Sequence, residues 1–187
     1  MLTFAIIALS YCLISVALYF AMREKCKINP VFKAPKCRAT YYILSFTWGL
    51  PMVLFGCLVA LVLVVTGHKP KKYGWDWCFE FKGLGWGLEL GIFFIAPAEE
   101  CEHLKEHEHG HGIQNIYLGF FTPFVVSIPS AVRFWVREIK YNMGKKNLPP
   151  YDSVWFEGSA SASGKALMER LRKCEKMSEL SGDSTTI

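Results

Sequence analysis

The segment from Glu99 to Gln114 combines residue types that bind metal ions with a spacing that an α-helix can use. It reads EECEHLKEHEHGHGIQ and contains four of the five histidines of the chain. His107 and His111 are four positions apart, so on a helix their imidazoles lie one above the other and can bind one ion together. Glu108 is about 100° further around the helix from His107, close to that ion without being a ligand.

This HExxH pattern is typical of zinc hydrolases. The ion lowers the pKa of a bound water molecule, and the unligated glutamate takes the proton of that water. Two less specific hypotheses stay open for the same segment: a loose metal-sequestering tract of histidines, or a solvated polar helix face that binds nothing. A third protein ligand further along the chain and a strand leading into the helix would favour the hydrolase.

Glu157 is the candidate for the third ligand. It follows His111 by 46 residues and precedes a run of small residues, GSASASG, which begins a helix that continues through Leu167 and Leu171. Small residues let two helices approach closely, as the helix that carries a third ligand must do. The alternative is a glutamate that the helix dipole alone favours at a helix N-terminus.

A strand pattern precedes the histidine segment. Aromatic side chains occupy every second position from Trp75 to Phe81, which predicts a strand with one aromatic face. Glycines interrupt this pattern, and Leu88 to Ile95 resumes as a second strand. We therefore predict a β-hairpin whose second strand enters the histidine helix through Pro97, with Glu99 and Glu100 in the first turn of that helix.

The N-terminal third of the chain predicts membrane spans. Residues 2–22 carry no charge and are long enough to cross a bilayer; a signal peptide is the alternative, but no basic residue precedes them. Residues 41–66 form a second apolar run, which Pro51 is expected to kink. The linker 23–40 is basic, and the positive-inside rule places it in the cytoplasm. These features predict a transmembrane helical hairpin over residues 1–66.

Residues 67–177 are predicted to form a small α+β domain that contains the metal site, and residues 178–187 a disordered polar tail. Within the domain, residues 116–136 are apolar but include two prolines and Arg133. A third span here would put Glu157 across the membrane from the histidines. A broken, membrane-associated segment that packs over the site avoids that separation, and we favour it.

Composition agrees with a membrane protein and excludes several other classes. Hydrophobic residues make up 52% of the 187 residues, and they fall in blocks. The net charge of +5 comes largely from lysines beside those blocks, which suits contact with the lipid bilayer, and we find no nucleic-acid-binding motif. The seven cysteines form no CxxC pair and are odd in number, which argues against a zinc ribbon or a disulfide scaffold.

Together, His107, Glu108, His111 and Glu157 resemble the site of the gluzincin metallopeptidases, in which a glutamate on a following helix completes the zinc site. The likeness is closer to membrane gluzincins of the heat-shock and CAAX-prenyl endopeptidase kind, in which that glutamate belongs to an E-x-x-A-D pattern. Here the glutamate and the alanine are kept, and Ser161 replaces the aspartate.

The stretch HEHGHGIQN is also similar to the HEYGHxxQ motif of a set of small uncharacterised bacterial membrane proteins, and this likeness spans roughly residues 75–164. Those proteins share a Pro-Ser pair in an apolar segment, like Pro129-Ser130 here, and a tyrosine-rich approach to the later glutamate. His109 stands where they have an aromatic residue, and Ser161 removes an acid that would orient a ligand histidine. These departures leave open weak zinc binding or a lapsed enzyme.

The resemblance implies a mainly α membrane protein of the bacterial inner membrane, with an N-terminal transmembrane hairpin and a small α+β zincin-like domain. It implies Zn²⁺ bound by His107, His111 and Glu157, with water in the fourth position. Glu108 would be the general base toward that water. The activity expected is that of a zinc metallopeptidase on peptide or protein substrates, membrane proteins among them.

Two other functions compete with the peptidase. A non-catalytic membrane metal-binding or transport protein would use His103, His107 and His111 along one helix face. Glu157 would then have no effect on metal affinity. A membrane-anchored interaction module would bind no metal at all. Under the peptidase hypothesis, Tyr151 or His103 would help to stabilise the oxyanion.

Overall fold

The computed structural model describes residues 2–25, 31–99 and 101–181, in which helices dominate and four strands form one mixed sheet. The elements in chain order are α1 (Leu2–Lys25), α2 (Arg38–Thr47), α3 (Leu50–Val65), β1 (Lys71–Tyr73), β2 (Asp76–Phe81), β3 (Leu88–Leu90), β4 (Phe93–Pro97), α4 (Glu102–Leu118), α5 (Ile128–Asn142) and α6 (Trp155–Ser181). Short 3₁₀ turns at Gly119–Phe121 and Tyr151–Ser153 and a π-helical turn at Pro123–Ser127 complete the list.

The first apolar segment is one continuous helix. Within α1, Thr3–Arg23 has a mean hydropathy of 2.2 and is long and apolar enough to cross a membrane. α1 packs on the turn Pro123–Ser127 and on the start of α6. Tyr19 of α1 contacts Trp155 and Phe156 of α6. Most of its other apolar side chains are exposed, which fits association with a membrane.

The second apolar segment is a bent pair of helices, with the bend where Pro51 predicts it. α2 and α3 meet at 93°, and Pro51 lies in the first turn of α3, where its missing N–H removes no helical hydrogen bond. α3 packs on β3 and β4, whereas α1 packs on the turn Pro123–Ser127. Among the described residues, one helix is long and apolar enough to span a membrane, or up to three spans are possible if each bent pair counts as one.

The predicted strand from residue 75 is present as β2, but the predicted β-hairpin is wrong. The sheet order is β1-β2-β4-β3, with β2 and β4 parallel and the other two pairs antiparallel. The predicted second strand, Leu88 to Ile95, is divided at Gly91, where φ is +81°. This turn reverses the chain so that β4 lies between β2 and the edge strand β3. A side chain at position 91 would also lie 2.7 Å from the Cα atom of Val53 on α3.

Two helix boundaries differ from those predicted. α4 begins at Glu102, so Glu99 precedes it and accepts a hydrogen bond from the backbone N–H of Gly83; Glu100 lies outside the described residues. α6 continues to Ser181, into the segment predicted as a tail, because no glycine or proline interrupts it after Gly164. Residues 182–187 lie outside the part of the chain that the structure describes.

The third apolar stretch, residues 116–136, is broken, and its second part lines the cavity beside the histidine helix. α4 ends before Gly119, where φ is +55°, and Pro123 begins the π-helical turn. The helical segments on either side of this break are bent by 116°, so they do not form a straight span. α5 returns past α4, and its Phe134 lines the same cavity as His107.

α4 and α6 approach each other closely because small residues meet where they pack. A Cβ atom added to Gly110 would lie 1.9 Å from the backbone oxygen of Ala160. One added to Gly164 would lie 1.7 Å from the backbone oxygen of Glu106. The small-residue run that follows Glu157 therefore brings α6 onto α4, as the sequence predicts.

Replacing Gly164 with alanine should destabilise the protein, despite the higher helix propensity of alanine. The added Cβ atom would overlap a main-chain oxygen, which can move only if one of the two helices moves. We expect the free energy of unfolding to fall by about 2 kcal/mol or more, measured by chemical denaturation in detergent. The control is Lys165→Ala at the exposed neighbouring position, which should change it by less than about 0.5 kcal/mol. Equal stability of the two variants would contradict the close packing.

Candidate metal centre

Three side chains that could hold one metal ion converge where α4 meets α6. The Nε2 atoms of His107 and His111 are 3.1 Å apart, and Oε2 of Glu157 lies 3.1 Å from the first and 3.4 Å from the second. All three side chains are buried. Donor atoms bound at about 2.0–2.1 Å to a tetrahedral ion lie roughly 3.3 Å from one another, so the spacing fits an ion such as Zn²⁺.

The chemistry of this donor group also fits a cation. Neither carboxylate oxygen of the buried Glu157 accepts a well-formed hydrogen bond from the described residues. Burial acts to raise the pKa of Glu157, but the imidazoles of His107 and His111 hold it well below its usual value, so this carboxylate is ionised. A buried anionic oxygen that faces two imidazole nitrogens is stabilised by a positive charge, which either a protonated imidazole or a bound metal ion can supply.

The hypothesis of a solvated polar helix face is wrong for α4. Its side chains from Glu106 to Ile116 are all buried, although most of them are polar. A helix that is polar on every side is normally exposed to water, and it can be buried only if each polar side chain finds a partner. α4 has such partners on the sides that face the sheet and α6.

Gln114 orients His111 and ties it to α6. The Nδ1 atom of His111 lies 2.8 Å from Oε1 of Gln114, which accepts a hydrogen bond from the Nδ1–H group, so in the neutral imidazole Nε2 keeps a lone pair for an ion. The amide nitrogen of Gln114 donates to the backbone oxygen of Phe156 at 2.6 Å. Gln114 therefore fixes both His111 and the residue that precedes Glu157.

His107 has a hydrogen-bond partner on α6, the hydroxyl of Ser161. Its Nδ1 atom lies 2.8 Å from Oγ of Ser161, and the Ser161 hydroxyl donates to Oδ2 of Asp152 at 2.9 Å. From the sequence, Ser161 is expected to leave a ligand histidine without an acid to orient it, but the Ser161 hydroxyl contacts Nδ1 of His107. No motif indicates Asp152, because its role depends on where the turn Tyr151–Ser153 packs.

Glu108 is buried beside the three donors and lines the same cavity without belonging to the donor group. The loop before β3 comes close to it: a Cβ atom on Gly87 would lie 2.4 Å from Oε1 of Glu108. Gly87, which the sequence suggested only as an interruption of the strand pattern, therefore leaves the space that the Glu108 carboxylate occupies. A carboxylate next to an ion but not bound to it is suited to act as a base.

A second buried carboxylate, Glu89 on β3, borders the same cavity. Burial raises the pKa of Glu89 to about 8, although the charge of His111 and the backbone N–H of Gly91, which donates at 2.6 Å, both lower it. Glu89 is therefore mostly protonated at neutral pH and adds little negative charge beside Glu108. Sequence analysis missed Glu89, because its place in a predicted strand gave no chemical signal.

A cavity of about 570 Å³ opens on the donor group, a volume that suits a ligand of several residues. Its walls are β3 with the preceding loop, α4, the start of α5 and the turn Tyr151–Ser153. Large apolar side chains line much of it, namely Trp86, Leu88, Val126, Phe134 and Trp135. β3 is an edge strand, paired with β4 on one side and with no strand of the described sheet on the other.

Tyr151 borders the cavity close to His107, with the ring centres of the two residues 6.2 Å apart. Burial, followed by the negative charge of Glu157, raises the pKa of the Tyr151 hydroxyl to about 12. The guanidinium carbons of Arg133 and Arg137 both lie 5.5 Å from the centre of the Tyr151 ring. Tyr151 is therefore a fixed, neutral hydrogen-bond donor at physiological pH.

His103 lies one turn before His107 and is exposed at the cavity. Within the part of the chain that the structure describes, the group whose donor atoms can share one ion consists of His107, His111 and Glu157. The third donor of that group is thus the carboxylate of Glu157, and His103 is not part of it.

His109 faces the sheet, away from the donor group. Its Nδ1 atom is hydrogen-bonded to Oδ2 of Asp76 on β2, and Oδ1 of Asp76 accepts a hydrogen bond from the hydroxyl of Tyr41 at 2.8 Å. The His109 ring also packs near the rings of Tyr41 and Tyr73. His109 therefore connects α4 to β2 and α2, and it is not part of the donor group.

Comparison of the chain with protein-family models, with curated proteins and with solved structures gives no match. The resemblance to gluzincins therefore depends on the motifs and on the geometry described above. To those motifs the structure adds a buried His-His-Glu group and one apolar N-terminal helix.

Glu157→Gln tests the donor group, because it removes the anionic oxygen and keeps the size of the side chain. Residues that only orient metal ligands contribute about 10–100-fold to affinity, so loss of a ligand should lower zinc affinity by at least about 100-fold. Zinc affinity would be measured by competition with a chelator, and zinc content by mass spectrometry. Glu138→Gln, at the exposed edge of the cavity, is the control and should keep one zinc per chain. Equal affinity of both variants would favour the histidine tract.

His109→Phe should weaken the fold and leave zinc binding intact. The buried carboxylate of Asp76 would lose one of its two partners, which costs about 1–3 kcal/mol. We expect that decrease in the free energy of unfolding, with zinc content unchanged, and a smaller change in the control His103→Phe at an exposed position. Loss of zinc at unchanged stability would contradict the position of His109 on the sheet side.

Proposed function

We propose that this protein is a membrane-anchored, zinc-dependent metallopeptidase of the gluzincin type. The observation that carries the proposal is the convergence of two imidazole nitrogens and one carboxylate oxygen, all within 3.4 Å of one another. Glu108, the unligated glutamate of the HExxH motif, lies beside them at a cavity that can admit a peptide. This combination of a zinc-type donor set and a separate base supports hydrolysis over simple metal storage.

Each residue of the site would have a separate role in the reaction. A Zn²⁺ ion held by His107, His111 and Glu157 would polarise the scissile carbonyl and acidify a water molecule. Glu108 would act as the general base toward the attacking water, and it would then give the proton to the nitrogen of the leaving amine as the peptide C–N bond breaks. The neutral hydroxyl of Tyr151 can donate a hydrogen bond to the oxygen that becomes negative.

The cavity favours an extended peptide substrate with apolar side chains. The edge strand β3 can form main-chain hydrogen bonds with an added strand, as in other complexes that extend a sheet. The wall opposite is lined by Phe134 and Trp135 on α5, which suit apolar side chains of the substrate. The partner we propose is therefore a peptide or protein segment of apolar sequence, including segments of membrane proteins.

The bilayer is the second partner. The apolar and largely exposed α1 would anchor the protein, and the exposed apolar side chains of α3 would also contact lipid. By the resemblance to small bacterial membrane proteins, we place the protein in the bacterial inner membrane.

Glu108→Gln should abolish hydrolysis and leave zinc in place, because the amide cannot take a proton and Glu108 is not a ligand. We expect the rate to fall by about 10²–10⁴-fold on β-casein or on a mixture of fluorescence-quenched apolar peptides, with one zinc per chain retained. His107→Ala should lose both zinc and activity, whereas Glu138→Gln should keep both.

Two outcomes would count against this function. Equal cleavage by Glu108→Gln and the parent protein would exclude Glu108 as the base. One tightly bound zinc without any cleavage of these substrates by the parent protein would favour a non-catalytic metal-binding protein.

A further inference from the structure

We propose that Asp152, acting through the hydroxyl of Ser161, positions and polarises His107 as a metal ligand. Asp152 would then supply, from a separate turn, the negative charge that is absent from position 161. The inference rests on the proposed function only in so far as the site binds zinc; it does not require that the protein hydrolyse peptides.

The direction of the hydrogen bonds follows from the groups involved. An ionised carboxylate only accepts hydrogen bonds, so the single hydroxyl hydrogen of Ser161 points to Oδ2 of Asp152, 2.9 Å away. Oγ of Ser161 must then accept at its other contact, which is Nδ1 of His107 at 2.8 Å. His107 therefore carries its proton on Nδ1, and Nε2 offers its lone pair toward Glu157 and His111.

His107 and His111 differ in the hydrogen-bonded groups that follow their Nδ1 atoms. The hydrogen bonds from His111 lead through the neutral amide of Gln114 to a backbone oxygen, whereas those from His107 end on the carboxylate of Asp152. A ligand imidazole gains positive character when it binds a cation, and a carboxylate behind it stabilises that charge and raises the basicity of the ligand. The contribution of Asp152 is therefore specific to His107.

Asp152 is held by α5 rather than by the helices that carry the donors. Arg133 donates hydrogen bonds to the backbone oxygens of Pro150 and Tyr151, at 2.8 and 2.9 Å, and to Oγ of Ser153 at 3.0 Å. These bonds fix the turn on both sides of Asp152. The hydrogen-bond chain thus connects α5, which forms the wall of the cavity, to a donor at the metal site.

Zinc affinity provides the test, and Ser159→Ala provides a matched control. Ser161→Ala removes the hydroxyl from the chain, and Asp152→Asn removes the charge. Ser159 lies on the same helix with a buried hydroxyl that has no hydrogen-bond partner among the described residues. All variants would be made in the Glu108→Gln background, in the full-length detergent-solubilised protein, and titrated with Zn²⁺ against a competing chelator.

We expect Ser161→Ala and Asp152→Asn each to weaken zinc binding by about 10–100-fold, and Ser159→Ala to change it by less than about 2-fold. Because the two residues act as one chain, the double variant Asp152→Asn/Ser161→Ala should be no weaker than the weaker of the two single variants. The thermal midpoint of the zinc-free protein should stay within about 2 °C of its parent in each case, which separates the effect from misfolding.

A rescue variant distinguishes the loss of the carboxylate charge from a loss of side-chain packing. In Asp152→Ala/Ser161→Asp the carboxylate stands at position 161 and can accept directly from His107, so zinc affinity should return to within about 3-fold of the parent protein. Affinity in Ser161→Ala equal to that in Ser159→Ala would overturn the proposal, as would failure of the rescue in a variant that folds. A parent protein that binds no zinc would overturn the metal site as a whole. Normal zinc binding with no hydrolysis by the protein that retains Glu108 would count only against the peptidase.

Discussion

The close contact between α4 and α6 is the constraint on which the site depends. Two imidazoles on one helix are weak ligands by themselves, and the third donor must come from a helix whose axis lies near enough for Glu157 to reach them. Gly110, Ala160 and Gly164 allow this because they place hydrogen or a methyl group where other residues would place a larger side chain. The stability of the fold and the convergence of the three donors therefore depend on the same helix contact.

The remaining elements make it possible to bury a polar helix. α4 presents His109 to Asp76 on the sheet, Gln114 to the backbone of α6, and His107 to Ser161. Each of these bonds offsets the cost of removing a polar group from water, and together they fix the rotation of α4 about its axis. Rotation matters more here than in an apolar helix, because it decides which imidazoles face Glu157.

The apolar segments divide into one long helix and two bent pairs. Hydropathy averages over a window and is the same for a straight span and for two helices at 93° or 116°, so composition alone does not separate them. Prolines and glycines determine where the helices bend. Pro51 lies in the first turn of α3, after the bend from α2. Gly119 follows the end of α4, and Pro123 begins the π-helical turn that leads into α5. The second of these bends places α5 over the cavity and brings Arg133 to the turn that holds Asp152.

The sequence by itself determined the features that depend on residues close to one another along the chain. The spacing of His107 and His111 placed them on one helix face, the uncharged segment predicted α1, alternation predicted β2, and small residues predicted a close approach of α6. The tertiary structure decided the parallel pairing of β2 with β4, the start of α4 at Glu102, and the partners of His107 and His109. Helix and strand rules act over a few residues, whereas Asp76 and His109 are 33 positions apart and His107 and Ser161 are 54 apart. Contacts at such separations are selected by the packing of the whole chain, because only the folded arrangement satisfies all the buried polar groups at once.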